Sequence, residues 1–392
     1  MFRIFSSQPP VGAPPFEAFL ADLAAIGVRP TASDGDAFSI MAARTNPRWW
    51  LIPRSCGTSC ARTAFEMFQP INQSARIAKL AAKLAATFEP SGSSAQSMLH
   101  LAGAPDFLTA FGLSEACCAY FTGTDGPHRK TAAQIMTLQG KIVGYAKVTR
   151  DPKVRHYLEN EARTLTELEK LDLTTAMTPR VHKYHDGEEV AWLATDCFDG
   201  KKGDVPLEFG PAQAAFLHEM RQRSQESRSP RFLQTMDHQT NLLTPRLDPA
   251  WDLRFRTGLS LLNANADMVQ VCFAHGDFTP WNSFEVDRRL YVFDWEYASE
   301  LHPVGYDHLH FLLAVRRGRS VAETIAWTEN EISGAWFDYG LTLARLSILA
   351  SLLHHAAFYM QRSMMNDDDV LAFSDCQYRG ELIDCMLERL KN

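Results

Sequence analysis

Three strand-like runs placed almost end to end constrain this chain most. ACCAYFT (116–122), RKTAAQIMT (129–137) and KIVGYAKVT (141–149) are separated only by Gly123-Thr124-Asp125-Gly126-Pro127-His128 and by Leu138-Gln139-Gly140. Connections that short, with glycine in each, leave no room for a crossover, so the runs are expected to pair as antiparallel hairpins. A helix follows over about 152–170, with Leu158, Ala162, Leu165 and Leu168 on one face. RVHKYH and EEVAWLATD then read as two more strands about the Asp186-Gly187 turn.

After Asp199-Gly200 the pattern becomes mainly helical, over 211–223, 249–268, 303–315, 321–337 and 341–362, interrupted by short strands around VCFAH and LYVFD. Ahead of the three runs, residues 1–112 open Pro-rich and offer a helical candidate at 15–26. Two strand-like runs, FSIMAA and RWWLIP, are joined across Arg44-Thr45-Asn46-Pro47, and a helical run, SARIAKLAAKLAATF, spans 74–88. Glu89-Pro90-Ser91-Gly92-Ser93-Ser94 reads as a linker. The expected class is α+β and two-lobed: an N-terminal α/β extension (1–112), a small antiparallel-sheet lobe (113–198) and a larger helical lobe (199–392). Such a layout makes a cleft between lobes.

A length of 392 residues exceeds one ordinary core, in keeping with two or three domains. With 46% hydrophobic and 22% charged residues, a mostly disordered chain is excluded. Lys plus Arg is 39 and Asp plus Glu is 46, a net charge of −7, which gives no global attraction to nucleic acid or an anionic membrane. Arg221, Arg223, Arg228 and Arg231 cluster locally and read as a solvated loop rather than an anion site. None of the eight cysteines forms a Cys-x-x-Cys pair or a zinc-type spacing, so reduced thiols in a cytoplasm are expected. The opening MFRIFSSQPPVGAPP has no apolar run of the signal-peptide kind. The stretch 341–360 is apolar but carries Arg345, His354 and His355, and reads as a buried helix rather than a membrane span. Whether a second copy of the chain packs through the extension or the larger lobe stays open.

The chemistry is concentrated in FAHGDFTPWNSF and LYVFDWE. Asp277 ends a strand-to-loop turn, Asn282 lies five residues on, and Asp294 lies twelve beyond that, at the end of the next strand. Phosphoryl transfer needs one carboxylate to orient a hydroxyl and accept its proton, and hard oxygen ligands for a magnesium ion. A loop followed by a hairpin returns all three side chains to one place. HGDFTPWN resembles the HGDxxxxN catalytic loop of the aminoglycoside phosphotransferase and choline kinase family, and FDWE resembles that family's metal-binding strand end.

The resemblance, covering about 113–375, implies a protein-kinase-like fold and an ATP- and Mg2+-dependent transfer to a small alcohol: a sugar, an amino alcohol or an aminoglycoside-like acceptor, with a sugar preferred here. It implies Asp277 as catalytic base, Asn282 and Asp294 as magnesium ligands, and His275 as a brace of the loop. Lys147 would steady the phosphates and Glu161 would hold Lys147, with Lys130, Lys141 and Glu159 as rivals. The backbone of the 122–128 turn, through Gly123 and Gly126, would cover the phosphates. The main chain of Asp196, Cys197 and Phe198 in the lobe-joining stretch would meet the adenine edge. In HPVGYDHLHFLL, Asp307 resembles the acidic residue that supports the catalytic loop. His302, His308 and His310 read as structural rather than metal-binding. Trp281 either lines the acceptor site or packs the loop, Trp49 and Trp50 read as core or interface, and Asp367, Asp368 and Asp369 read as a solvated loop. The alternative to an enzyme is a pseudokinase that binds nucleotide or a partner, which would have no need of Asp277.

Overall fold

The computed structural model describes residues 2–3, 12–43, 47–67, 98–199, 205–224, 227–228, 230–316, 318–365, 367–373 and 375–391, with short pieces between 76 and 84. The expected linker at 89–94, the 44–46 part of the first joint and much of the 74–88 run lie outside the described residues. The chain divides into two compact units, Met1–Lys170 with Thr178–Lys201, and Leu171–Met177 with Lys202–Asn392.

The first unit is built on one ten-stranded sheet, in which every pairing is antiparallel. Its strands are β1 (Phe2–Arg3), β2 (Arg29–Thr31), β3 (Asp36–Ala43), β4 (Trp49–Pro53), β5 (Met98–Ala102), β6 (Cys117–Phe121), β7 (Thr131–Met136), β8 (Ile142–Thr149), β10 (Val181–Asp186) and β11 (Ala191–Thr195). The order is β10-β11-β8-β7-β6-β4-β3-β5-β2, with β1 also on β3. Alternation with period two sorts side chains to the two faces. Ile40, Leu51, Tyr120, Ile135 and Val148 share a core with Phe16, Phe19 and Leu23 of α1 (Pro14–Ala25) and with Ile26, which caps it. Met41, Trp50, Ile52, Cys117, Ala119 and Met136 face the other way, against Cys60 and Ala61 of α2 (Gly57–Thr63) and Phe65. Both tryptophans are packed: Trp50 stacks on Phe121 at 4.7 Å and Trp49 meets Phe16 edge-on at 5.4 Å.

The expectation of a separate N-terminal domain is corrected here. Residues 1–112 carry no unit of their own, because β4 pairs with β6, Trp50 opposite Phe121 and Leu51 opposite Tyr120, making one sheet of two expected pieces. Asp22 of α1, buried, also accepts from Arg129 at 2.7 Å and Thr131 at 2.8 Å across the joint. Burial pushes the Asp22 carboxyl up, against the pull of that arginine. The unit boundaries differ as well, since 171–177 belongs with the second unit and the first runs on to Lys201.

The second unit is mainly helical: α4 (Pro211–Arg223), α5 (Pro230–Leu243), α6 (Pro249–Ala264), α7 (Tyr306–Val315), α8 (Val321–Trp336), α9 (Leu341–Met364) and α10 (Cys376–Lys391). Two three-stranded sheets accompany them. One joins β12 (Ser227–Arg228), β13 (Gln270–Ala274) and β16 (Ser299–Pro303). The other joins β14 (Ser283–Val286), β15 (Arg289–Val292) and β9 (Ala176–Met177). Pro303, expected to open a helix, closes β16 instead, and α7 starts at Tyr306 after Gly305 in the left-handed region. Helix α9 is long and apolar enough to cross a membrane, yet 67% of its most apolar window is buried within the fold. Leu346, Leu349, Leu352, Leu353 and Ala356 are its core positions. Helices α5 and α10 had no expectation in the sequence.

Candidate active site

In the first unit, β8 and α3 (Pro152–Leu171) place the lysine and its partner. Lys147 pairs across from Leu193 and Ala132, so it shares their face of the sheet. Leu158 and Ala162 of α3 pack on Ala191 and Leu193 of that same face. Glu161 therefore points at the sheet, is 3% exposed, and accepts from Lys147 Nζ at 2.7 and 2.6 Å on its two oxygens. The rivals go elsewhere: Lys141 pairs with Asp199 on the surface at 2.8 Å, Lys130 lies over the Tyr157 ring, and Glu159 is exposed.

The 122–128 turn needs its first glycine. Gly123 has φ of 79°, and a Cβ there would fall 2.1 Å from the Lys130 carbonyl oxygen. Arg129 braces the turn by donating to the Thr122 carbonyl at 3.1 Å. At the far end of the unit, the Asp196 N–H donates to Arg180 O at 2.9 Å, and the Arg180 N–H donates to Asp196 Oδ1 at 2.6 Å. With that N–H engaged, Asp196 has its main-chain carbonyl oxygen left to offer an adenine edge. Phe198 lies two residues on, in the irregular stretch after β11.

In the second unit the loop after β13 carries Asp277. Gly276 has φ of 84°, and a Cβ would fall 2.3 Å from Tyr297 O, so only glycine fits. Asp307, in the first turn of α7, accepts the His275 N–H at 2.7 Å and the Gly276 N–H at 3.0 Å. Burial pushes the Asp307 carboxyl up, while His275 and these N–H groups pull it down. His275 Nδ1 accepts the Asp277 N–H at 3.2 Å, so its Nε2 carries the proton and donates to Phe293 O at 3.0 Å. The approach to Asp277 is thus held by Asp307 and His275.

Asn282 closes the loop. Its Nδ2 donates to Asp277 O and to Asp277 Oδ2, both at 2.9 Å. The other carboxylate oxygen, Oδ1, lies 2.9 Å from His310 Nε2. With 29% of its side chain exposed, Asp277 still reaches solvent. The β14–β15 hairpin pairs Ser283 with Val292, and the Phe293 N–H donates to Asn282 O at 3.1 Å, which brings Asp294 alongside Asn282. Asp294 sits in the left-handed region at φ of 73°, where aspartate is tolerated better than bulky residues. Glu296, buried and unanticipated, offers a carboxylate oxygen within 4.8 Å of one from Asp294. Its signal was its place two residues after Asp294 in FDWE. Asn282 has its Nδ2 engaged, leaving Oδ1 to offer, and with the carboxylates of Asp294 and Glu296 it supplies oxygen donors of the kind magnesium takes.

The three histidines read as structural go to three different partners. His302 donates to Tyr297 O at 3.2 Å, His308 accepts from Trp336 at 3.2 Å, and His310 lies against Asp277. The last contact was missed, although His310 is three residues after Asp307 on the same helix face. Trp281, within the loop, is 37% exposed. Arg221 donates to Trp336 O and Arg223 to Leu171 O, so both serve the fold.

Residues 143–331 match a family model described as the phosphotransferase enzyme family. No curated protein sequence matches the chain. Among solved structures the chain is similar to a thermostable mutant of aminoglycoside phosphotransferase APH(4)-Ia in its apo form, at 14% identity and a TM-score of 0.49, over 72% of this chain and 97% of that one. It is similar to the GDP complex of aminoglycoside 2'-phosphotransferase-IIIa at 12% identity and a TM-score of 0.47, over 72% and 96% of the two chains. It is also similar to the choline kinase LicA from Streptococcus pneumoniae at 15% identity and a TM-score of 0.42, over 66% and 90%.

Proposed function

We propose, from the match of residues 143–331 to the phosphotransferase enzyme family, that this chain is an ATP- and magnesium-dependent kinase acting on a hydroxyl of a small molecule. The observation that carries the reading is the Asp277 carboxylate, fixed by Asn282 and His310 on a loop gripped by Asp307, yet open to solvent. A carboxylate held this way orients an acceptor O–H and takes its proton as the new O–P bond forms.

In the first unit, Lys147 meets the nucleotide phosphates with its flexible stem steadied by Glu161. The backbone of Gly123 and Gly126 covers the phosphates, and the Asp196 carbonyl and the Phe198 main chain take the adenine edge. In the second unit, Asn282, Asp294 and Glu296 would hold magnesium, which would supply charge neutralisation to the phosphates when bound. The acceptor belongs to the sugars, amino alcohols or aminoglycoside-like alcohols, with a sugar favoured, and eight cysteines with no Cys-x-x-Cys pair among them fit a reducing cytoplasm.

The test is ADP release by the purified protein across a panel of such alcohols, with and without Mg2+. The expected result is acceptor-stimulated turnover that needs the metal. Tight ATP binding with no turnover on any alcohol would instead make the protein a nucleotide-binding pseudokinase.

A further inference from the structure

Behind Asp277, three more side chains of the second unit form a single file. His310 on α7 presents Nε2 to Asp277 Oδ1 at 2.9 Å. Its Nδ1 lies 2.5 Å from Nε2 of His355 on α9. Arg379 on α10 brings Nη1 to 3.3 Å from Nδ1 of His355. Both imidazoles are buried, at 6% and 1% exposure, so no solvent competes for these contacts.

The direction of every hydrogen bond in the file follows from its far end. A guanidinium has donors and no acceptor. His355 Nδ1 must therefore accept, and a neutral imidazole accepting at Nδ1 carries its proton on Nε2. That N–H points at His310 Nδ1, which must accept in turn. His310 then carries its proton on Nε2 and donates to Asp277. A cation on either ring would set N–H against N–H, so the arrangement admits only the neutral pair.

The charged and titratable surroundings agree. His310 faces Asp277, Asp307 of its own helix, His302 of β16 and His355, with the Tyr306 ring parallel at 6.3 Å. Beyond them His355 faces His354, Tyr306, Tyr359 and Arg379, and Arg379 faces Asp375 and Arg316. Burial first, then the neighbouring cationic and imidazole groups, holds His355 well below the usual range, and burial lowers His302 to about 3 and His354 to about 4.

We propose that His310, His355 and Arg379 are positioning residues for Asp277: Arg379 sets the tautomer of both rings, so that His310 always donates to Oδ1 and holds the carboxylate in one orientation for the acceptor hydroxyl. The inference takes the role of Asp277 from the function proposed above, whereas the file itself rests on geometry alone. Since every link already donates toward Asp277, the proton taken from the acceptor does not leave along the file. It leaves from the solvent-facing side of the carboxylate. The file orients and does not relay.

Full-length protein labelled with 15N-histidine tests this directly, with the two ring signals assigned through His310→Asn and His355→Gln. The expected spectrum shows both rings neutral and protonated on Nε2 at neutral pH, as the donor rule requires. A cation, or an Nδ1–H tautomer, at either ring overturns the proposal. Arg379→Met should release the constraint, giving a tautomer mixture at His355 and His310, and lower kcat on the order of tenfold with little change in KM for ATP. Arg379→Lys keeps a donor and should return the Nε2–H spectrum. Unchanged tautomers and unchanged kcat in Arg379→Met would also overturn it. Should no alcohol be phosphorylated at all, the function proposed above fails, while the ring spectra still decide the file.

Discussion

Asp277 and Lys147 are single side chains whose settings differ in kind. Asp277 has each carboxylate oxygen bonded to a neighbouring side chain and still reaches solvent, as a group that must meet a substrate should. Asp277→Asn keeps the shape and removes the proton acceptor. Turnover should fall roughly a hundredfold or more, with the thermal transition within a few degrees of the parent. An Asp277→Asn enzyme of full activity would remove Asp277 from the reaction. Lys147 is only partly buried, but its partner Glu161 is nearly fully so. Lys147→Met should raise KM for ATP at least tenfold and also lower stability by about 1–3 kcal/mol, because a buried carboxylate loses its cation. Titration with a fluorescent ATP analogue and a denaturant melt read the two effects separately. Both residues stood out in the sequence, Asp277 within HGDFTPWN and Lys147 on the strand-like run just ahead of the helix that carries Glu161. His310 did not, because its meaning depends on His355 and Arg379, which lie 45 and 69 residues further along.

Two elements hold the second unit's site in place by accepting backbone N–H groups on a carboxylate. On α7 it is Asp307, which grips the loop before Asp277. Asp307→Asn would set an amide N–H against one of the two donors it now receives. We expect kcat to fall on the order of tenfold and stability by about 2 kcal/mol; an unchanged kcat would show that the loop is held without it. On α4 it is Glu219, which accepts from the backbone N–H groups of Thr174 and Thr175 at 2.8–3.1 Å and from both hydroxyls. It thereby stitches the 171–177 segment into the unit, where β9 pairs with β15. Burial alone would raise this carboxyl, but those hydrogen bonds outweigh it and bring it from 4.5 down to about 2. A depressed carboxylate contributes stability that is fully present above 4.5 and is lost as the pH falls toward 2. Melting curves should therefore show the parent losing stability across that window. Glu219→Gln, lower by about 1–3 kcal/mol at neutral pH, should lack that component. Parallel acid profiles for the two proteins would contradict the assignment.

At the level of the whole molecule, the ten-stranded sheet makes residues 1–112 part of the unit that carries Lys147. A chain starting at residue 113 would expose the β6 edge and strip the partners from Cys117, Tyr120 and Ile135. Such a chain should be insoluble or lack a cooperative melt, because an open apolar sheet edge invites pairing with other chains; a soluble, ATP-binding fragment would refute this. Local spacing made much legible beforehand. The alternation of β3, β4, β6, β7 and β8, the apolar stripe of α3, and the loop-and-hairpin order of Asp277, Asn282 and Asp294 each follow from backbone geometry over a few residues. What only the tertiary structure decided is everything joined across long stretches of chain: β4 against β6, Thr174 and Thr175 on Glu219, and the file from Asp277 through His310 and His355 to Arg379. Those contacts depend on which packed surfaces meet, and burial among neighbours from four separate elements turns an ordinary histidine into a fixed donor, which no spacing along the chain records.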